Sequence, residues 1–598
     1  MGTTVRRNPI LPLAFAALLA VVWLSLLFVR VFAAMQDPAS LRLDSDDALR
    51  MVEVRDLLKG QPWFDLTQYR MTPPAGVAMH WSRLIDAPLA GMVLLFRTFA
   101  AEPLAESLTA SVWPTLLLLP TWLALGRIAQ KLAGEQAALV TLLLAMTSVY
   151  PLGFFEPGEI DHHNAQLALT FAGMALLLEF EQSAWSAAAC AIVNMISLGI
   201  GVETLPYVFA TCLVVAAQWT ARGPALRRSV RAFGIALAMA SVCLLFGITA
   251  YHERNTTTCD TFSGLYAILA VVGGFGLAGA SILPLRRIPA RAAIVVALVL
   301  GLLVLVLALA PQCMRGPYAM LSPELDRIWL SRVEEAQPAL LAAGTEIGFF
   351  FVTYLYAVAG LAMSCASILL VDRDKRMAAG VVAIVSFAAV LVTTFEIRGL
   401  PFAILAGIPG IAAIITRLAQ RAILPGAWRM AAMAAGLFLF GEFGFLIFGN
   451  YLLEGRTHVA VRVAERNAAL DCMGDKTTAQ LAMLPRGRVA SLVAASPAIL
   501  LYTDHAVMAA SYHRDAGAIL DLYRLFTEPS DGAAAIIRRY GVDYLMTCRA
   551  DEDYTFYIRE GGPRGLLTNL DEGRVPSWLS PFPPSGPRGE VRVYKVIH

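Results

Sequence analysis

Long apolar runs alternate with short polar connections from residue 10 to about residue 450. They fall at 10–34, 106–126, 135–155, 164–180, 185–201, 204–219, 232–250, 262–283, 292–311, 341–370, 377–395, 400–416 and 430–449. At 1.5 Å per residue most of them reach, or nearly reach, the ~30 Å of a bilayer's hydrocarbon core. The pattern predicts about thirteen membrane-spanning helices. One further run, Ala87–Ala101, is short and carries Arg97. It is expected to lie on the membrane or dip into it rather than cross. After residue 450 the periodicity changes. "GRVASLV", "AILLYT", "VDYLMTC" and "EVRVYKVI" read as short strands, and "DAGAILDLYRLF" and "DGAAAIIRRYG" as amphipathic helices between them.

Two segments follow: a membrane domain over 1–450 and a small α/β domain over 451–598. Composition supports the first, since 58% of the residues are hydrophobic and 15% charged, against about a quarter charged in soluble proteins. The N-terminal run exceeds the usual length of a signal-peptide core, so it is read as a retained first span rather than a cleaved leader. Net charge is +2, and no basic stripe points to a nucleic acid.

Lys and Arg collect in alternate connections: Arg127 and Lys131; Arg222, Arg227, Arg228 and Arg231; Arg286, Arg287 and Arg291; Arg373, Lys375 and Arg376; Arg417, Arg421 and Arg429. The positive-inside rule makes these cytoplasmic. The N-terminus is then cytoplasmic and the C-terminal domain extracytoplasmic, in what is expected to be a bacterial inner membrane. The eight cysteines contain no CxxC pair, which argues against a zinc site. In an oxidising compartment Cys472 is expected to pair with Cys548, and Cys259 with Cys313.

With this topology the acidic connections share one face. They hold Asp44, Asp46 and Asp47; Glu159, Asp161, His162 and His163; Glu203; Glu334 and Glu335; and Glu396 with Arg398. Oxygen-rich ligands with one imidazole suit a hard divalent cation, Mg²⁺ or Mn²⁺. Asp46 or Asp47, Asp161, His163 and Glu335 are the candidate ligands. Read blandly, any one of these acids is a solvated loop residue or a helix cap, as Asp44 or Ser45 is for "DDALRMVEVRDLL". Glu203 is a candidate for acceptor binding or for a base. Tyr69, Arg70, His80, Trp81 and Arg83 are candidates to line a sugar or phosphate pocket, and Tyr512, His513 and Arg514 to face the acceptor, but the first group is read first as interfacial anchors and the second as packing residues.

The order and spacing of these motifs resemble the catalytic subunits of oligosaccharyltransferases, within the GT-C class of membrane glycosyltransferases. The resemblance covers roughly residues 10–450. "SDDALRMVEVRDLL" resembles the family's first outer loop and favours Asp46 as the ligand. "PWFDLTQYRMTPPAGVAMHWSRLIDAPL" resembles the continuation of that loop. Asp161-His162-His163 matches its Asp-x-His motif, and "SRVEEAQP" matches its later Glu segment through Glu335. Arg398 in "EIRGLPFAIL" matches the Arg that holds the donor's phosphates.

The resemblance implies catalytic roles for Asp46, Asp161 and Glu335 and a metal held by Asp46, Asp161, His163 and Glu335. Asp47, Glu159, His162 and Glu203 are then supporting or acceptor-side residues. It implies an isoprenoid-phosphate-linked sugar donor, a surrounding membrane lipid, and a glycan, lipid or protein acceptor. One departure is plain. Relatives that glycosylate Asn carry a Trp–Trp–Asp motif in the soluble domain, and Trp578 is the sole tryptophan of 451–598. The alternative to an enzyme is a transporter or flippase for a lipid-linked glycan, which would place ionisable groups at mid-membrane.

Overall fold

The computed structural model describes residues 10–38, 41, 43–318, 321–341, 348–421, 425–453, 472, 474–551, 553–582 and 591–597. Helix dominates up to residue 453. In chain order the helices are α1 (Ile10–Gln36), α2 (Ser45–Leu58), α3 (Arg83–Arg97), α4 (Glu102–Ala133), α5 (Glu135–Met146), α6 (Val149–Gly153), α7 (His163–Leu177), α8 (Ala184–Ile200) and α9 (Leu205–Arg222). They continue as α10 (Arg227–Gly247), α11 (Gly264–Ile282), α12 (Ile288–Leu309), α13 (Pro323–Ile328), α14 (Gly348–Leu370), α15 (Arg376–Phe395), α16 (Leu400–Arg421), α17 (Gly426–Phe440) and α18 (Glu442–Leu453).

Among the described residues, each apolar run of the sequence falls mainly on helix. Among the described residues, eight helical stretches are long and apolar enough to cross a membrane by themselves. Others are shorter, because α5 is followed by the separate turn of α6 and the last run is interrupted at Gly441 between α17 and α18.

The bundle grades from lipid-facing to enclosed. The most apolar window of α12 has no buried residue, whereas that of α16 is buried throughout. Helix α14 crosses α16 at Gly360 and Gly407, where a Cβ on Gly407 would stand 2.9 Å from the Gly360 Cα. Only a residue without a side chain permits that approach, a common device where helices pack in lipid. Helix α3 buries Ile85, Leu89 and Val93 and exposes Leu94 and Leu95. That two-sided pattern is what the sequence predicts for a segment lying along a membrane surface.

The chain's end folds as a small mixed sheet with helices. The strands are β1 (Thr67–Gln68), β2 (Val77–Ala78), β3 (Arg488–Ala490), β4 (Ala506–Val507), β5 (Tyr544–Cys548), β6 (Leu579–Pro581) and β7 (Val591–Val596). β1 and β2 form a hairpin in the connection between α2 and α3, and the other five run in the order β4-β3-β5-β7-β6. β3 is parallel to β4 and β5, while β7 is antiparallel to β5 and β6.

"AILLYT" is a correction. It lies in a helix, Ser496–Tyr502, with Pro497 in its first turn, where proline's fixed φ suits helix and its missing N–H costs nothing. The two predicted amphipathic helices appear as Ala516–Thr527 and Ser530–Tyr540. Both expected disulfides form, with Cα separations of 5.2 Å for Cys259–Cys313 and 6.0 Å for Cys472–Cys548.

The connection from α1 to α4 and this C-terminal unit are joined. Thr72 N–H donates to Val507 O at 3.0 Å and Val507 N–H to Arg70 O at 2.8 Å. Arg70 reaches Leu500 O and Thr503 O, and Arg55 reaches Leu501 O. One apolar cluster takes Leu49, Val52 and Met71 from the loop and Ile499, Val507 and Met546 from the C-terminal unit. Arg50 and Arg83, both fully buried, hold Asp86 between them at 2.8 and 3.0 Å. Arg70 and Arg83 are therefore structural here, as the bland reading expected.

Candidate active site

Asp44 caps α2. Its Oδ1 accepts the N–H groups of Asp46 (2.9 Å) and Asp47 (3.0 Å), which fixes both carboxylates on the helix's first turn, at the positive end of its dipole. Asp47 turns inward. Its Oδ1 accepts the backbone N–H of Ile160 (2.7 Å) and of Asp161 (2.9 Å) and so pins the Asp161-His162-His163 turn against α2. Asp161 Oδ1 accepts the N–H of His163 at 3.0 Å, opening α7. Its Oδ2 lies 3.3 Å from His163 Nε2, and Glu335 Oε2 stands 3.7 Å from the same nitrogen.

Oxygens of Asp47, Glu159 and Asp161 lie within 4.8 Å of one another. Burial, then the charges of Asp44, Glu335 and Asp161, push the Asp46 carboxyl well above the usual range. Burial with Asp44, Glu159 and Asp161 does the same for Asp47. Crowded carboxylates of this kind bind a cation and release protons as they do so. The donor set of carboxylate oxygens and one imidazole fits a hard or borderline divalent cation.

Beside this group Arg398, 12% exposed, sits among three acids. Its Nε is 3.3 Å from Glu396, its Nη1 3.8 Å from Glu203 and its Nη2 3.9 Å from Glu335. Its one hydrogen bond among the described residues is from Nη2 to the Tyr318 hydroxyl at 2.9 Å. Glu203 also meets His162 Nε2 at 3.6 Å and accepts from Gln166 at 3.1 Å. A small cavity between these groups is lined by His163, Gln166, Glu203, Tyr207 and Arg398. Tyr207 Oη, Gln166 Oε1 and His162 Nδ1, all buried, have no hydrogen-bond partner among the described residues.

A second cluster stands nearby. His80, Asp260 and His513 offer ligand atoms within 4.8 Å of one another. Asp260, however, is already taken: His513 Nε2 meets its Oδ2 at 2.8 Å, and Arg514 donates to both of its oxygens at 2.7 and 3.1 Å. Arg514 also bonds Glu253 at 2.8 Å, and His80 Nδ1 lies 2.5 Å from the Tyr512 hydroxyl. The cluster ties the C-terminal unit to the α2–α3 and α10–α11 connections, so Tyr512, His513 and Arg514 have docking partners.

Several of the residues singled out in sequence lie together, but the carboxylates whose oxygens converge among the described residues are Asp47, Glu159 and Asp161 rather than the expected set of Asp46, Asp161, His163 and Glu335. Asp161, His163, Glu335 and Arg398 touch in series, Glu203 and His162 close the far side, and Glu159 and Asp47 back Asp161. Asp46 faces the charges of Glu335, Asp161 and His163. Gln166, Tyr207 and Tyr318 escaped sequence reasoning. A polar Gln166 one turn after His162 in an apolar helix was the available signal. Asp260, a lone acid in a polar loop, gave none.

No protein-family model and no curated protein matches the chain. Solved structures do. The archaeal oligosaccharyltransferase AglB of Archaeoglobus fulgidus, in complex with an inhibitory peptide and a dolichol-phosphate, matches with a TM-score of 0.62 at 13% identity, over 94% of this chain and 72% of that one. The Archaeoglobus fulgidus oligosaccharyltransferase tethered to an acceptor peptide with an NVT sequon gives 0.62 at 12%, over 96% and 74%. Its complex with Zn and sulfate gives 0.55 at 13%, over 93% and 70%. At such identities the match speaks for architecture: this chain is a polytopic α-helical membrane protein whose fold is like that of the archaeal oligosaccharyltransferase.

Proposed function

We propose that the protein is a membrane glycosyltransferase that moves a sugar or oligosaccharide from an isoprenoid-phosphate-linked donor to an acceptor on the extracytoplasmic side. The observation that carries this reading is the meeting of Asp161, His163, Glu335, Arg398 and Glu203, from four separate connections, in one partly buried site. The fold adds to it, since oligosaccharyltransferase structures of the same architecture hold dolichol-phosphate, acceptor peptide or Zn. Residues of the site sit at helix ends, which suits a surface enzyme better than the mid-membrane relay of a transporter.

In this reading Asp46, Asp161, His163 and Glu335 hold a divalent cation, Mg²⁺ or Mn²⁺, and Asp47 and Glu159 support them. Bound there, the cation supplies charge neutralisation for the departing phosphate. Arg398 binds the lipid phosphate at the membrane side and holds it still. Asp46 orients the acceptor and takes its proton as the glycosidic bond opens. Asp47 keeps the Asp161 turn in register by its two backbone hydrogen bonds. The acceptor is a glycan, a lipid or a protein group; the missing Trp–Trp–Asp motif speaks against an Asn sequon. The site faces the extracytoplasmic side of a bacterial inner membrane, with the N-terminus cytoplasmic and residues 451–598 forming the outer domain.

The test compares surface glycans, by mass spectrometry, in cells with the gene, without it, and with Asp161→Ala. Loss of one glycosylated species in the last two, at unchanged protein level, is expected. Identical glycans in all three would overturn the reading.

A further inference from the structure

Cys259 and Cys313 tie the α10–α11 connection to the α12–α13 connection, with Cα atoms 5.2 Å apart. Asp260, next to Cys259, takes His513 at 2.8 Å and Arg514 at 2.7 and 3.1 Å from the C-terminal unit. On the other side of the bridge, Tyr318 follows Cys313 within the same connection. Its hydroxyl accepts the hydrogen bond of Arg398 Nη2 at 2.9 Å, and its ring meets that of His513 edge-on, with centroids 5.5 Å apart. Cys259, Asp260, His513, Tyr318 and Cys313 thus form a closed circuit.

Residues 311–318 hang on that circuit. Their backbone hydrogen bonds are local, from Cys313 N–H to Ala310 O and from Gly316 N–H to Cys313 O. Among the described residues, their long-range bonds are two: the disulfide and the Tyr318 hydroxyl. A cavity of ≈ 430 Å³, lined by Arg315, Tyr318, Asp326, Phe395 and Glu396, lies beside them, so close packing does not fix them on that side. Arg398 depends on Tyr318 in turn. Its approaches to Glu396, Glu203 and Glu335, at 3.3, 3.8 and 3.9 Å, are ion pairs without a hydrogen bond. Such pairs attract the guanidinium but set its direction weakly, whereas a hydrogen bond of 2.9 Å is directional.

We infer that the Cys259–Cys313 disulfide is a positioning element of the site: it holds Tyr318 on Arg398, and the guanidinium is aimed only while the two sulfurs are bonded. The inference rests on the glycosyl-transfer reading, in which Arg398 takes the lipid phosphate, and adds redox control to it. A dithiol undoes the bridge. Its thiolate attacks Cys313 Sγ, the S–S bond breaks, and Cys259 leaves as a thiolate that takes up a proton. The reductant's second thiol then closes its own disulfide and frees Cys313, so the dithiol is oxidised and the protein gains both electrons and protons. Cys313 is the reachable end, being partly exposed where Cys259 is 7% exposed. Cys472 and Cys548, at 0% and 4%, are shielded. Access governs thiol–disulfide exchange, so the bridge beside the site opens first.

The experiment uses the full chain in lipid nanodiscs, with radiolabelled undecaprenyl phosphate as the probe. Trypsin cleavage after Arg315, an exposed residue, gives a readout that needs no lipid. Wild type is compared with Cys259→Ser/Cys313→Ser, with Tyr318→Phe, with the triple variant, and with Cys472→Ser/Cys548→Ser. Loss of the Cys259–Cys313 bridge is expected to weaken lipid binding roughly tenfold, the worth of one hydrogen bond to a charged group, and to speed cleavage several-fold. Tyr318→Phe should lose the same binding, and the triple variant no more than either, within about twofold. Loss of the Cys472–Cys548 bridge should leave binding within about twofold of wild type and lower thermal stability instead. If the serine variants fail to fold, wild type is titrated with dithiothreitol while thiol labelling reports Cys313. Undiminished binding without the bridge, or losses that multiply in the triple variant, overturns the inference and leaves the transferase reading intact. No saturable binding by the oxidised wild-type protein overturns both.

Discussion

Two polar clusters lie on the same face of this protein, and they are built differently. Around Asp260 the contacts are short and complete: His513 at 2.8 Å, Arg514 at 2.7 and 3.1 Å, and Arg514 to Glu253 at 2.8 Å. Around Asp161 the side-chain ion pairs run from 3.3 to 3.9 Å, carboxylates outnumber cations, and buried polar atoms of His162, Gln166 and Tyr207 go unpartnered among the described residues. Both contain the residue types of a metal site. Only the second has unspent charge and unmade hydrogen bonds. A closed network holds parts together, whereas an open one, whose unmet groups cost free energy, is where a ligand gains.

The sharpest way to break this contrast is to cut one residue from each cluster. Asp161→Ala is expected to lower transfer by roughly 10²–10³-fold or more, with insertion and both disulfides intact, as judged by gel filtration and thiol labelling. Arg398→Gln should weaken polyprenyl phosphate binding by roughly 10–100-fold, read by displacement of labelled lipid. On the other side, Arg514→Ala leaves Asp260 and Glu253 without their main partner. It should destabilise docking of the C-terminal unit by about 2–3 kcal/mol, seen as earlier thermal unfolding and protease cutting after residue 453. If Arg514→Ala left stability unchanged and removed lipid binding, the division between a structural and a functional cluster would be wrong. His162→Ala should cost transfer only about tenfold, because the carboxylate His162 pairs with is Glu203, outside the proposed metal set.

The smallest effect concerns Asp515 at the docking seam, where burial, opposed by the Thr72 hydroxyl, raises the carboxyl to about 7. Its folded value lies above the unfolded ~3.9. Its stabilising contribution is thus complete below the unfolded value and lost as pH rises through about 7. Wild-type thermal stability should fall between pH 5 and pH 8 by more than that of Asp515→Asn. An equal fall in both proteins would remove Asp515 from the account.

Much of this was legible because lipid imposes simple rules. A segment in hydrocarbon must be helical and apolar, so thirteen runs could be placed and loops sorted by charge. That sorting is what joined Asp161, Glu335 and Arg398 before any coordinates. The C-terminal unit obeys looser rules. "AILLYT" is five apolar residues and a turn signal, a length at which strand and buried helix look alike, and Pro497 was the overlooked clue. Strand β4 has two residues and exists because Arg70 and Thr72 pair with it from far away. Asp260 owes its place to Arg514. Partnerships of that range leave no local periodicity to read.

The seam between Thr72 and Met508 spans 436 positions of the chain. A ribosome adding about 5–20 residues per second needs roughly 20–90 s to cover that distance. Through that interval the connection from α1 to α4 has emerged while Arg55, Arg70 and Thr72 lack the carbonyls they will hold, and Met71 and Val77 lack part of their apolar cover. That connection can therefore be completed only when the last hundred or so residues arrive.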